Sequence, residues 1–172
     1  MLKLKISNQN QRPKTSVERN SIMKIITPND LSYLDFIVDA QIAMAKETED
    51  YDLDPVKIKA GATTVILNPH KGRYYLALDQ NDNFLGMLLT MPEWSDWRNA
   101  EVIWIHSVYV RPEYRGKGVY KSMYQFLRDK VETSEEYAGI RLYVDKRNLS
   151  ANKVYKKLGM SDEHYTLFEW LK

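Results

Sequence analysis

At 172 residues, 44% of them hydrophobic and 28% charged, the chain has the composition of one soluble globular domain. It contains no cysteine, which excludes disulfides, thiolate zinc sites and a cysteine nucleophile. No apolar run approaches the ~18 residues that a membrane crossing needs.

The net charge of +2 is unevenly spread. Residues 1–22 hold Lys3, Lys5, Arg12, Lys14 and Arg19 against Glu18 alone, so the remainder is net acidic. This basic, polar leader has little to bury and is expected to be disordered. A single domain over residues 23–172 is expected after it. The acidic body argues against a dedicated nucleic-acid binder. The chain reads as cytoplasmic, with no membrane partner.

Residues 23–27 read as a short strand ending at Pro28. Asn29 or Asp30 caps a helix in which Leu31, Leu34, Val38, Ile42 and Ala45 recur at helical spacing. Its end runs into an acidic stretch, residues 47–54. Pro55 opens a second helix reaching about Leu67. Strands are expected at Arg73–Leu78 and Phe84–Met91, then a loop over Glu93–Arg98, then a long strand at Glu101–Val110. A helix follows Gly118, with Val119, Met123, Phe126, Leu127 and Val131 on one face. A strand at Ile140–Val144 and a helix carrying Ala151, Val154, Tyr155 and Leu158 come next, the helix stopping at Gly159. Thr166–Leu171 reads as a closing strand. The order βααβββαβαβ predicts an α/β class fold of the α+β kind: one mixed sheet flanked by helices.

Between the long strand and its helix lies Arg111-Pro112-Glu113-Tyr114-Arg115-Gly116-Lys117-Gly118-Val119-Tyr120. Free N–H groups at a helix start attract phosphate, and glycine lets a ligand approach the main chain closely. A P-loop would need glycine before Lys121-Ser122, and a dinucleotide fingerprint would need glycine at Lys121. Neither is present. A charged strand-to-helix turn would account for the loop taken alone.

Two segments together narrow the choice. Val108-Tyr109-Val110 with Arg115-Gly116-Lys117-Gly118, followed by Asn148-Leu149-Ser150-Ala151, Tyr155 and Gly159-Met160, resembles the GNAT superfamily of N-acetyltransferases over roughly residues 24–171. The resemblance implies acetyl-CoA as co-substrate, with no metal. Its pantetheine arm would lie along Val108, Tyr109 and Val110, and its pyrophosphate over Arg115, Gly116, Lys117, Gly118, Val119 and Tyr120. Asn148 belongs to the second motif. The fourth and fifth strands would splay to admit the thioester. Tyr120 departs from the pattern, which has Gly or Ala there, so its ring must turn from the phosphates or join the donor pocket. Met160 replaces the usual Phe.

For the chemistry, the resemblance implies a backbone N–H near Val108 for the oxyanion and Tyr155 as proton donor to the thiolate. A core aromatic is the other reading of Tyr155. His106 is the first candidate base and Glu101 the second. Glu47 and Glu49, from the region that lines the acceptor cleft in the family, are expected to draw in a cationic amine. A solvated helix end is the plainer account of that acidic run. As a calcium loop it fails, because Pro55 and Gly61 stand where glycine and glutamate are required. Trp94, Asp96 and Trp97 are further acceptor candidates. The expectation is an N-acetyltransferase acting on a small-molecule or peptide amine. A non-catalytic acyl-CoA-binding domain is the alternative, and homodimerisation is left open.

Overall fold

The computed structural model describes residues 23–170. In chain order it contains β1 (Lys24–Ile26), α1 (Leu34–Glu49), α2 (Pro55–Leu67), β2 (Arg73–Leu78), β3 (Phe84–Ser95), β4 (Ala100–Val110), α3 (Val119–Glu132), β5 (Tyr137–Leu142) and α4 (Leu149–Lys157). The expected leader lies outside the described residues.

Local chemistry sets the helix starts. Asp30 accepts a bond from the Ser32 N–H at 2.9 Å and opens a short 3-10 turn that feeds α1. Asp54 accepts from the N–H groups of Val56 and Lys57 at 2.9 and 3.3 Å, while Pro55 fills the first position of α2. At the other end of α4, Gly159 turns left-handed at φ 85°. The Met160 N–H then reaches the Tyr155 carbonyl, and the Gly159 N–H reaches that of Lys156, both at 3.1 Å.

The five strands lie side by side in chain order. The first three junctions are antiparallel, and β4 with β5 is parallel. That parallel junction requires a crossover, which α3 supplies. One face of the sheet packs Leu76, Leu78, Met87 and Leu89 against Ile37, Ala40, Ala62 and Ile66 of α1 and α2. The other packs Leu88, Ile103 and Ile105 against Val119, Met123 and Leu127 of α3, with Leu158 and Met160 after α4 joining the same layer.

A register shift in β4 decides which of its side chains turn toward α3. Leu89 faces Ser107 and Thr90 faces Ile105, so His106 is an extra residue in the ladder. Ile103 and Ile105 pack in the α3 layer before the bulge, and Val108 and Val110 join that layer after it. Odd positions thus give way to even ones. The bulge brings two valines onto the α3 side at the strand's end.

Several boundaries differ from the sequence reading. β3 runs on to Ser95, so the first half of the expected Glu93–Arg98 loop is strand, and the turn occupies residues 96–99. A hairpin with a long second strand carries its partner along, because each further residue gains a ladder bond. The fifth strand is Tyr137–Leu142 rather than Ile140–Val144. The closing strand is not formed within the described residues: 161–170 carry no helix or strand. Apolar groups fall on both parities there (Tyr165, Leu167; Phe168, Trp170), so no single face is favoured for burial, and Phe168 stays 90% exposed.

Candidate functional site

Pairing between β4 and β5 covers Glu101–Ile105 and stops at Leu142. β3 continues to pair with β4 as far as Val110. From His106 to Val110, therefore, one edge of β4 has no neighbouring strand, because β5 ends at Leu142. The direction of its groups follows from two bonds. The Arg111 N–H donates to Leu85 O on the β3 side at 3.0 Å. Arg115 Nε donates to Val110 O at 2.9 Å from the open side. Because strand groups alternate, the main-chain groups of Val108 and Val110 face the open side and those of Tyr109 face β3.

The loop after β4 ends at the start of α3. Gly116 and Gly118 are both left-handed, at φ 72° and 85°. Gly118 holds the cap position and has no side chain to satisfy the first-turn N–H groups of Val119, Tyr120 and Lys121. A Cβ added at either glycine would meet nothing within 4 Å. The space above this helix start is open, and its donors and dipole favour an anion there.

The basic side chains of the loop are already engaged. Arg115 Nη2 donates to Glu47 Oε2 at 2.6 Å, and its guanidinium lies 5.8 Å from the Tyr109 ring centre. Lys117 Nζ lies 5.5 Å from that of Tyr114. Glu47 on α1 is thus a strut between the acidic helix end and the glycine loop. The rest of the acidic stretch divides likewise: Lys46 pairs with Asp50 and Asp52, and Asp54 caps α2.

Tyr155 stands on α4, whose start is capped by Asn148 Oδ1 accepting from the Ala151 N–H at 3.0 Å. Asn152 Nδ2 adds a bond to Asn148 O at 2.8 Å. Asn148 therefore sets where α4 begins, and with it the place of Tyr155. The Tyr120 ring turns inward and meets Tyr155 edge-on, with centres 5.8 Å apart. It packs in the same apolar layer as Val108 and Val110. The ring is thus turned inward from the loop surface, beside the end of β4. Burial raises the Tyr155 pKa above the ordinary phenol value, so the group holds its proton at neutral pH.

His106, exposed at the bulge, has Nδ1 3.2 Å from Ser107 Oγ and meets the Tyr143 ring edge-on at 6.1 Å. Partial desolvation lowers its pKa below the ordinary imidazole value, which favours the neutral, proton-accepting form. Tyr143 also meets the Trp104 ring at 6.0 Å between centres, and burial first, then the charges of Glu169 and Glu49, raise its pKa above the ordinary phenol value. Glu49, Tyr143 and His106 share one region next to the open edge. Tyr143 was not among the sequence candidates. Its only sequence signal is alternation with Arg141, whose Nη1 donates to Glu93 Oε1 at 2.6 Å while Trp104 also donates to Glu93.

The remaining candidates lie elsewhere. Glu101 pairs with Trp94 near the far end of β4, roughly 23 Å of strand from Val108. Both line a cavity of about 700 Å³ with His70, Lys130 and Tyr137. Asp96 and Trp97 sit at the hairpin turn beyond, where Trp97 is 89% exposed. The structure does not bring Glu101, Trp94, Asp96 or Trp97 to the open edge. Among the described residues no group of three His, Asp or Glu is arranged to hold a metal ion, and no helix is long and apolar enough to cross a membrane.

Residues 34–160 match the family described as "Acetyltransferase (GNAT) family". The structure of a possible acetyltransferase from Clostridium difficile 630 is similar at 33% identity and a TM-score of 0.81, over 87% of this chain and 97% of that one. A ribosomal-protein-alanine N-acetyltransferase from Brucella melitensis shares the fold at 14% identity and a TM-score of 0.68, over 87% and 100% of the two chains. An aminoglycoside acetyltransferase from an uncultured soil sample, in complex with sisomicin, does so at 15% and 0.62, over 88% and 96%. No curated protein matches the chain.

Proposed function

The chain belongs to the GNAT family of acetyltransferases, and from that premise we propose that it moves an acetyl group from acetyl-CoA to a primary amine by direct attack. The observation that carries this reading is the juxtaposition of an unpaired β4 edge with an uncapped helix start one loop away. A pantetheine arm has amide groups that match the open C=O of Val108 and N–H of Val110, as an added strand would. Its pyrophosphate matches the α3 N-terminus. Arg115 serves as a brace for the loop, because Glu47 and Val110 O already occupy it.

The residues then divide the work. His106 takes a proton from the ammonium group, leaving a neutral amine to attack the thioester carbonyl. The Val108 N–H stabilises the oxygen as negative charge develops on it. As the C–N bond forms the nitrogen gives up its second proton to solvent, and as the C–S bond breaks the electron pair leaving on sulfur takes the Tyr155 phenolic proton, which solvent then restores. Glu49, which has no ion-pair partner among the described residues, supplies the negative field that draws a cationic acceptor toward His106.

The test is thiol release from acetyl-CoA by the full chain with spermine, kanamycin, lysine or an alanyl peptide. Release with at least one amine, and acetylated amine by mass, is expected. Tight acetyl-CoA binding with no release across the panel would favour a non-catalytic acyl-CoA-binding domain.

A further inference from the structure

The hairpin of β3 and β4 outruns the helix that covers it. β3 has 12 residues and α3 has 14, which makes ~40 Å of strand against ~21 Å of helix. The α3 side of the sheet is therefore open toward the hairpin turn, where the cavity of about 700 Å³ lies. Register lines three of its residues up in one row: Trp94 stands opposite Glu101, and Glu101 opposite Tyr137. Glu101 shares a face with Ile103, which packs in the α3 layer, so the whole row faces that side. A carboxylate thus sits between two aromatic residues.

The opposite charge comes from α3. Lys130, in its last turn, holds its ammonium 4.6 Å from the centre of the Tyr137 ring. Glu101 and Lys130 are both partly buried and both flank Tyr137. Among the described residues, however, neither makes an ion pair, and nor do Arg73 and Glu136, which line the same cavity. For fully exposed groups that would mean little. Here Glu101 has given up water and gained no partner.

We infer that this cavity binds a free α-amino acid with an aromatic or apolar side chain, its ammonium on Glu101 and its carboxylate on Lys130. An α-amino acid carries both complementary charges on one carbon, and so spans a gap that the two side chains leave unclosed. Trp94, 62% exposed, offers an indole face to the ligand's side chain. A simple ion suits the lining less well, since an anion would meet Glu101 and Glu136 and a cation would meet Lys130 and Arg73. A neutral apolar ligand would leave all four charges without partners. The volume lies within the range of about 300–1,000 Å³ common for small-ligand pockets. Glu101 is ~23 Å of strand from Val108, so the site is separate from the open β4 edge.

The test is calorimetric titration of the full chain with L-phenylalanine, beside N-acetyl-L-phenylalanine, which lacks the ammonium, and L-phenylalaninamide, which lacks the carboxylate. L-Phenylalanine is expected to bind with a Kd of about 1 mM or tighter, and each derivative at least tenfold more weakly. Glu101→Gln and Lys130→Met should each weaken L-phenylalanine by a similar factor while Tm holds. No saturable heat up to about 10 mM, or equal affinity for the three compounds, overturns the inference. Parent-like affinity in both variants does so too. Binding that is lost in folded His106→Gln but kept in Glu101→Gln places the amino acid at the open β4 edge and likewise overturns the cavity site. None of these titrations contains acetyl-CoA, so the transfer reading stands or falls separately.

Discussion

Tyr155→Phe keeps the ring that Tyr120 packs against and removes the one proton it can donate. Melting temperature and acetyl-CoA affinity should therefore hold, while kcat falls by about 10²-fold or somewhat less, the low end for general acid catalysis with a fairly stable leaving group. Full turnover in steady-state kinetics would return Tyr155 to the core. His106 makes a prediction with a sign. Desolvation lowers its pKa, so the proton-accepting form persists below the ordinary imidazole value of about 6.5 and is lost only on further acidification. The acid limb of kcat/KM should therefore have its midpoint below pH 6.5, with activity falling as pH falls. His106→Gln should lower kcat/KM and flatten that limb. A limb that survives unchanged in His106→Gln assigns it to another group.

At the scale of elements, Gly118 joins strand chemistry to helix chemistry. Its φ of 85° suits glycine, and valine there would add strain in the left-handed region to any effect on a ligand. Asparagine tolerates that conformation better and still places a Cβ in the open space. Gly118→Asn should thus fold normally and bind acetyl-CoA at least tenfold more weakly by calorimetry, a loss of ~1.4 kcal/mol; unchanged affinity would show that the donor does not approach the α3 start. The helix starts and stops near the site were legible because their causes are local. Asp54-Pro55 and Gly159 each act within one turn of chain. The glycine loop was legible for the same reason. The bulge at His106 was not, since no glycine or proline marks it and the partner strand sets its register. Nor was the engagement of Arg115 by Glu47, two residues far apart in sequence that only the packed fold brings within 2.6 Å. His106 and Glu101 were the first and second candidate bases on one strand. Strand length separates them, placing Glu101 with Trp94 at the far cavity.

For the whole molecule, donor binding and folding are linked, because the proposed donor site exists only in the folded chain. It takes its edge from β4, its anion-binding end from α3 and its phenols from α3 and α4. The unfolded chain holds none of these together, so ligand binds the native state alone and shifts the unfolding equilibrium by mass action. At a concentration 100 times its Kd, acetyl-CoA should add about 2.7 kcal/mol. For a domain of this size that corresponds to a Tm rise of roughly 5–10 °C. The chemistry of the site makes the effect selective. Coenzyme A carries both the pantetheine amides that match Val108 and Val110 and the pyrophosphate that matches the α3 start. Pantetheine carries only the first, and inorganic pyrophosphate only the second. Each fragment alone must still meet the entropic cost of being held in place, so their separate shifts at equal concentration should be small and should sum to less than that of coenzyme A. Differential scanning fluorimetry on the full chain, with the three ligands side by side, checks this. A flat response to coenzyme A at millimolar concentration removes the donor site. An equal response to pyrophosphate and coenzyme A leaves the helix start as an anion site and strips the β4 edge of its role.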